Sequence, residues 1–123
     1  MRYDPTQAPD PGEWLALGEA ERLEAVIRCH ERLKVHVGTL QIHAAVHATV
    51  ETQLAQGYQG ATRALERLMA EGLDRHEATH AIGSVLAEQI RRVLQGRAFE
   101  ADEFEAALAT LDAESWRGLG EAE

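Results

Sequence analysis

Two pairs of histidines in this sequence have the spacing of one helical turn, which is typical of metal ligands. His43 and His47 lie four residues apart, as do His76 and His80. Residues at i and i+4 of an α-helix project from one face, so each pair can offer two imidazoles to one ion. Glu51 lies one turn beyond His47 and extends that face with a carboxylate. Such a set can bind a divalent transition metal (Zn, Fe, Ni, Cu or Mn), and spacing alone does not choose among them.

The second pair lies in the segment HEATH, which matches the H-E-x-x-H signature of zinc proteases. In those enzymes the glutamate acts as a general base on metal-bound water. Here Glu77 instead follows Asp74 by three residues, the position of a capping-box carboxylate. Leu86 replaces the third histidine of the longer signature, so only a distant Glu100 or Glu103 could serve as third ligand. No strand is predicted to align a peptide substrate. Protease activity is therefore disfavoured, and the sequence does not specify a reaction.

Helices must position these residues, because Leu and Ala dominate and alternating runs rich in Val, Ile and Thr are missing. The fold predicted is all-α, an up-and-down helical bundle of four to five helices with a short N-terminal helix. Apolar periodicity and capping residues place the short helix after Asp10 and the longer ones over 19–35, 40–55, 61–71, 75–95 and 102–115. Residues 1–10 are expected to form a flexible N-terminal arm, 11–115 a single helical bundle domain and 116–123 a frayed tail.

The order of these helices predicts that the histidines gather. Short connections make successive helices antiparallel neighbours, so the end of the first long helix meets the start of the second. His30 and His36 lie near that end, and the two histidine pairs lie near helix starts. All six histidines are thus expected at one pole, with His43 and His76 at matching levels. The small residue Gly83 should allow close helix approach, and the positive helix ends should keep the imidazoles neutral.

A histidine on an apolar stripe can also be a half-buried residue whose ring binds a backbone carbonyl or a carboxylate. This interpretation is preferred for His30 and His36. A buried His–Glu network would specify helix register without any metal. Two hypotheses follow for the paired histidines. One is a non-catalytic helical interaction module whose histidines form a packing and hydrogen-bond network. The other is a metal site between the helices at 40–55 and 75–95, formed by His43, His47, Glu51, His76 and His80.

Composition excludes some classes of partner. The formal net charge is −9, which disfavours nucleic acid and anionic membrane surfaces because both require a basic patch. Cys29 is the only cysteine, which argues against a disulfide framework and favours a reducing cytoplasm. No apolar run has membrane-spanning length. A homodimer or a protein partner stays open.

Three segments carry a resemblance: DPGEWLALGEAERLEAV, IHAAVHATVETQLAQG and RLMAEGLDRHEATHAIGSVLAE, which cover most of residues 10–88. The chain resembles a family of small bacterial all-helical proteins of unknown function. The family's paired histidines in the second and fourth main helices, with Glu-x-Gln-Leu-Ala after the first pair, correspond to His43, His47, Glu51, Gln53, His76 and His80. The resemblance implies a cytoplasmic, all-helical protein and assigns no activity.

Overall fold

The computed structural model describes residues 2–32 and 40–118, which are all-α as predicted. Over these ranges no strand is present, and the helices are α1 (Pro11–Ala16), α2 (Glu19–Arg32), α3 (Leu40–Ala55), α4 (Gln59–Ala70), α5 (Arg75–Leu94), α6 (Ala101–Thr110) and α7 (Ala113–Gly118). None of them is both long enough and apolar enough to span a bilayer. The predictions for His36 and for a turn at 37–39 lie outside the described residues.

The predicted helix caps at Asp10 and Asp74 are confirmed. The Asp10 side chain accepts a hydrogen bond from the backbone N–H of Glu13 at 2.9 Å, with Pro11 at the first helical position. The Asp74 side chain accepts from the backbone N–H of Glu77 at 2.8 Å, and the Glu77 carboxylate accepts from the Asp74 N–H at 3.2 Å. This reciprocal capping box fixes the start of α5 just before its two histidines.

The helix predicted over 102–115 is two helices, α6 and α7, separated by Leu111 and Asp112. The Asp112 carboxylate accepts from the backbone N–H of Ser115 at 2.7 Å, which caps a new helix. Arg67 donates to the carbonyls of Leu108 and Leu111 at 2.7 and 2.8 Å, and so satisfies acceptors at the end of α6. A local cap and a distant arginine together stabilise this break.

The helix α3 joins two hydrophobic clusters. Through Val50 it contributes to a cluster with α4, α5, α6 and α7. Through Ala44 and Ala48 it contributes to a second cluster with α1, α2 and the N-terminal residues. α3 packs against α1, α2, α4 and α5, so it is the central helix of the described fold. Its two histidines therefore lie between α2 and α5.

Both ends of the described chain contribute buried aromatic rings. Tyr3 is 1% exposed and packs on Trp14, and Arg32 donates to the Tyr3 carbonyl at 2.6 Å. At the other end Trp116 is 5% exposed, and α7 continues to Gly118. Tyr3, predicted within an N-terminal arm, and Trp116, predicted at the start of a C-terminal tail, thus each belong to one of the two hydrophobic clusters.

Gly83 allows α3 and α5 to approach closely beside the histidines. A Cβ atom at this position would lie 3.1 Å from Cγ1 of Val46, closer than side chains ordinarily pack. Val46 immediately precedes His47, and Gly83 lies one turn after His80. The absent side chain therefore sets the separation of the two histidine-bearing helices.

Replacing Trp116 by alanine tests whether the C-terminal helix belongs to the core. Trp116→Ala should lower the free energy of unfolding by about 3–5 kcal/mol, the usual cost of removing a buried tryptophan. Leu94→Ala is the control, because Leu94 is 82% exposed, and should change stability by about 0.5 kcal/mol or less. Urea unfolding followed by circular dichroism measures both. Equal, small effects would contradict the burial of α7.

Candidate metal centre

Five imidazole rings gather where α2, α3 and α5 meet. α2 contributes His30, α3 contributes His43 and His47, and α5 contributes His76 and His80. The centroids of neighbouring rings lie from 4.2 Å apart, for His76 and His80, to 6.5 Å apart, for His30 and His76. The expectation that histidines from distant segments gather is confirmed for these five.

Four of the rings are close enough to hold one ion. His30, His47, His76 and His80 can each offer a ligand nitrogen, and these atoms lie within 4.8 Å of one another. The group contains three residues of the predicted site and adds His30, which the sequence assigned to packing. His43 is not a member of the group, although its ring centroid lies 4.7 Å from that of His30 and 4.9 Å from that of His80.

A backbone carbonyl fixes the tautomer of His30. Its Nδ1 lies 2.8 Å from the carbonyl oxygen of Val26, one turn earlier in α2. A carbonyl can only accept, so Nδ1 carries the proton and Nε2 keeps a lone pair. Nε2 is buried and has no hydrogen-bond partner among the described residues. The ring is thus oriented in the way a metal-binding histidine usually is, by a hydrogen bond from its other nitrogen.

Tyr3 fixes the tautomer of His47. The Tyr3 hydroxyl has one proton and donates it to the Glu51 carboxylate. Its oxygen must therefore accept from Nε2 of His47, which lies 2.8 Å away. The lone pair of His47 is consequently on Nδ1, which is also buried and lacks a hydrogen-bond partner within 2–32 and 40–118. His30 and His47, two of the four clustered residues, thus each have an unprotonated nitrogen that makes no hydrogen bond to the described residues.

Glu51, which the sequence predicted as a ligand, forms a buried ion pair with Arg75. Arg75 donates to both carboxylate oxygens, at 2.7 and 2.8 Å, and also to the Pro5 carbonyl at 3.1 Å. Glu51 is 1% exposed and Arg75 7% exposed. Hydrogen bonds thus run from Arg75 through Glu51 and Tyr3 to His47, and we call this chain the relay. Glu51 orients the candidate ligand His47 through Tyr3, and Arg75 balances the charge of Glu51.

Burial keeps His47 neutral. Burial lowers the pKa of His47 well below its usual range, and the four neighbouring imidazoles lower it further. Burial raises the pKa of Tyr3, and the negative charge of Glu51 raises it further. The phenol therefore stays protonated and donates a hydrogen bond to Glu51. Near neutral pH, His47 therefore has the lone pair that metal binding requires.

The HEATH segment divides between the cluster and helix capping. Its two histidines belong to the group of four, but the Glu77 carboxylate accepts from the Asp74 N–H at the start of α5. Glu103, a candidate third ligand, lies 3.1 Å from Arg92, and Leu86 is a core residue. The protease interpretation thus stays disfavoured.

Three residues that matter at this site were missed from the sequence. His30 had a signal, since it lies on the apolar stripe of α2. Tyr3 and Arg75 had none, because an isolated aromatic in a polar segment and an arginine after a cap both look like surface residues.

No protein-family model matches the chain, and neither curated proteins nor solved structures give a match.

Removing Glu51 tests the buried ion pair. Glu51→Ala leaves the Arg75 guanidinium uncompensated in the interior, so the free energy of unfolding should fall by about 3–5 kcal/mol. Glu24→Ala breaks the exposed pair with Arg28 and should cost about 1 kcal/mol or less. Urea unfolding of metal-free protein compares the two variants. Similar losses would show that the Glu51–Arg75 pair is not buried as described.

Acid should destabilise the metal-free protein through His47. Its folded pKa is lowered, whereas in the unfolded chain it titrates near 6.5, so the unfolded state binds the extra proton as pH falls. This contribution is fully present above about pH 6.5 and declines by about 1.4 kcal/mol per pH unit below it. The titratable groups next to His47 are Tyr3, His30, His43, His76 and His80. Glu51 and Arg75 lie further along the hydrogen-bond chain that begins at Tyr3.

Unfolding in urea between pH 7.5 and 5.5 measures this slope. His47→Gln should show a shallower slope than the original protein, because glutamine does not titrate. Identical slopes for both proteins would assign the acid sensitivity to other groups.

Proposed function

We propose that this protein binds one divalent transition metal ion through His30, His47, His76 and His80. The observation that carries the proposal is the pair of buried lone-pair nitrogens, His30 Nε2 and His47 Nδ1, within a group of four mutually close imidazoles. A buried polar atom without a partner lowers the stability of the fold, because it has lost its hydrogen bonds to water. An ion coordinated by both nitrogens would give each of them a partner.

The donor set narrows the metal. Four neutral imidazoles suit Zn²⁺, Cu²⁺, Ni²⁺ or Fe²⁺, whereas Mn²⁺ prefers oxygen ligands. A tetrahedral Zn²⁺ with bonds of about 2.0–2.1 Å needs ligand nitrogens about 3.4 Å apart, so the rings would close inward on the ion. Zn²⁺ is the ion we favour, because four ligands complete its usual coordination in structural sites.

An ion here would clamp three helices and the N-terminal residues. Its ligands come from α2, α3 and α5, and the relay ties Tyr3 to the same centre. Metal binding would therefore add directly to folding stability. Cys29 is buried and is the only cysteine in the chain, so no disulfide can join its helices, and metal ligation would join them instead. Because a single cysteine is typical of proteins in a reducing compartment, we place this function in the cytoplasm.

The relay itself favours a second candidate function. A buried hydrogen-bond network can fix packing without a metal. In that case the protein is a non-catalytic helical interaction module that binds a protein partner or a second copy. The two candidates differ in whether the lone-pair nitrogens of His30 and His47 hold an ion.

Metal content and affinity separate them. Protein purified without a histidine tag should contain close to one equivalent of metal by mass spectrometry, and a chelator should lower its melting temperature. His30→Asn and His43→Asn form a matched pair, since their rings lie 4.7 Å apart but only His30 belongs to the group of four. His30→Asn should weaken Zn²⁺ binding by about 100-fold or more, and His43→Asn by about tenfold or less.

Three outcomes would count against the proposal. Absence of stoichiometric metal, with a melting temperature that a chelator does not change, would support the interaction module. Equal losses in the two variants would return His43 to the ligand set. Loss in His43→Asn alone would remove His30 from it.

A further inference from the structure

A cavity of about 390 Å³ opens between α3 and α5 on one side of the four-histidine group. Two members of the group, His47 and His80, line it, together with His43, Val46, Ala87 and Trp116. Its volume lies within the range of small-molecule sites in proteins. An ion held by the group would therefore have one side facing space that a small molecule can occupy.

The charges around this cavity favour an anion. The four proposed ligands are neutral, so a divalent ion would bring two uncompensated positive charges into a buried site. Glu51 cannot balance them, because Arg75 already holds both of its oxygens. The charged residues in the cavity lining, Glu88 and Arg91, pair with each other at 2.9 Å. A bound anion, either hydroxide or a larger molecule, would supply negative charge that the cavity lining does not.

The residues that line the cavity indicate that the uncharged part of the bound anion is apolar. Val46, Ala87 and Trp116 present apolar surface to the cavity. Apolar surface that meets an apolar ligand releases ordered water, which stabilises binding in proportion to the area covered. A small inorganic anion would leave this surface unused, whereas an anion with a compact apolar body would cover it.

We propose that the cavity binds a small monocarboxylate with an aromatic or branched aliphatic body. The carboxylate would bind as a fifth ligand on the side of the ion that faces the cavity, a coordination number to which zinc can expand. Its body would pack against Val46, Ala87 and Trp116. This inference rests on the proposed metal function, since the ion provides the contact with the carboxylate.

Visible absorption of the Co²⁺-loaded protein tests the inference. Benzoate should change the cobalt bands and bind about tenfold or more tightly than acetate, because only benzoate covers the apolar walls. Benzamide, which has the same body without the charge, should leave the bands unchanged. Azide, an anion without an apolar body, should change them and compete with benzoate.

A cavity-filling variant gives the matched control. Ala87→Trp places a large side chain in the cavity and should weaken benzoate binding about tenfold or more, with Co²⁺ uptake and the response to azide retained. Ala109→Trp makes the same change at another exposed helical alanine, on α6, and should leave benzoate binding unaltered.

The failures are distinguishable. A protein that takes up no Co²⁺ would overturn both the metal function and this inference. If Co²⁺ binds normally but benzoate is no better than acetate, or Ala87→Trp has no effect on benzoate, the carboxylate site alone is overturned.

Discussion

The site depends on a simple constraint: a neutral imidazole has one N–H, and the hydrogen bond it makes decides where its lone pair lies. The Nδ1–H of His30 donates a hydrogen bond to a carbonyl of its own helix, and the Nε2–H of His47 donates one to the Tyr3 hydroxyl. Each ring is then left with a buried unprotonated nitrogen in one cluster. The central position of α3 and the close contact at Gly83 serve to bring these rings together with His76 and His80.

The relay links this constraint to the stability of the fold. A buried glutamate is tolerable only because Arg75 matches its charge and geometry, and the same glutamate fixes the proton of Tyr3. The orientation of His47 therefore depends on an ion pair between α3 and the first residue of α5. Residues that orient the site and residues that hold the helices together are the same, so damage to the relay affects both.

Local signals made much of the fold predictable. The bounds of α3 agree with the prediction, and the caps at Asp10 and Asp74 follow from residues within one turn of them. The gathering of histidines followed from helix order and short connections. The break before Asp112 escaped because it depends partly on Arg67, which is distant in sequence. The buried position of Tyr3 escaped because no periodicity exists in the first ten residues.

The composition of the site was harder to predict, for physical reasons. Helical spacing shows which side chains of one helix share a face but not which rings of different helices come together. His43 was therefore predicted as a ligand and His30 as a packing residue, although the group of four contains His30 and not His43. The ring centroid of His47 lies 5.2 Å from that of His80 and 5.7 Å from that of His76, and helical spacing could not tell which turn of α5 this ring would contact. Glu51 has ligand chemistry and ligand spacing, but Arg75, 24 residues away, holds its carboxylate.

Anomalous diffraction at the zinc edge from Zn²⁺-loaded crystals tests the central claim most directly. The account predicts a single ion bonded to Nε2 of His30 and Nδ1 of His47, with His76 and His80 completing the coordination at about 2.0–2.1 Å and Tyr3 still hydrogen-bonded to Nε2 of His47. An ion bonded through Nε2 of His47, with Tyr3 displaced, or the absence of an anomalous peak within the cluster, would contradict it.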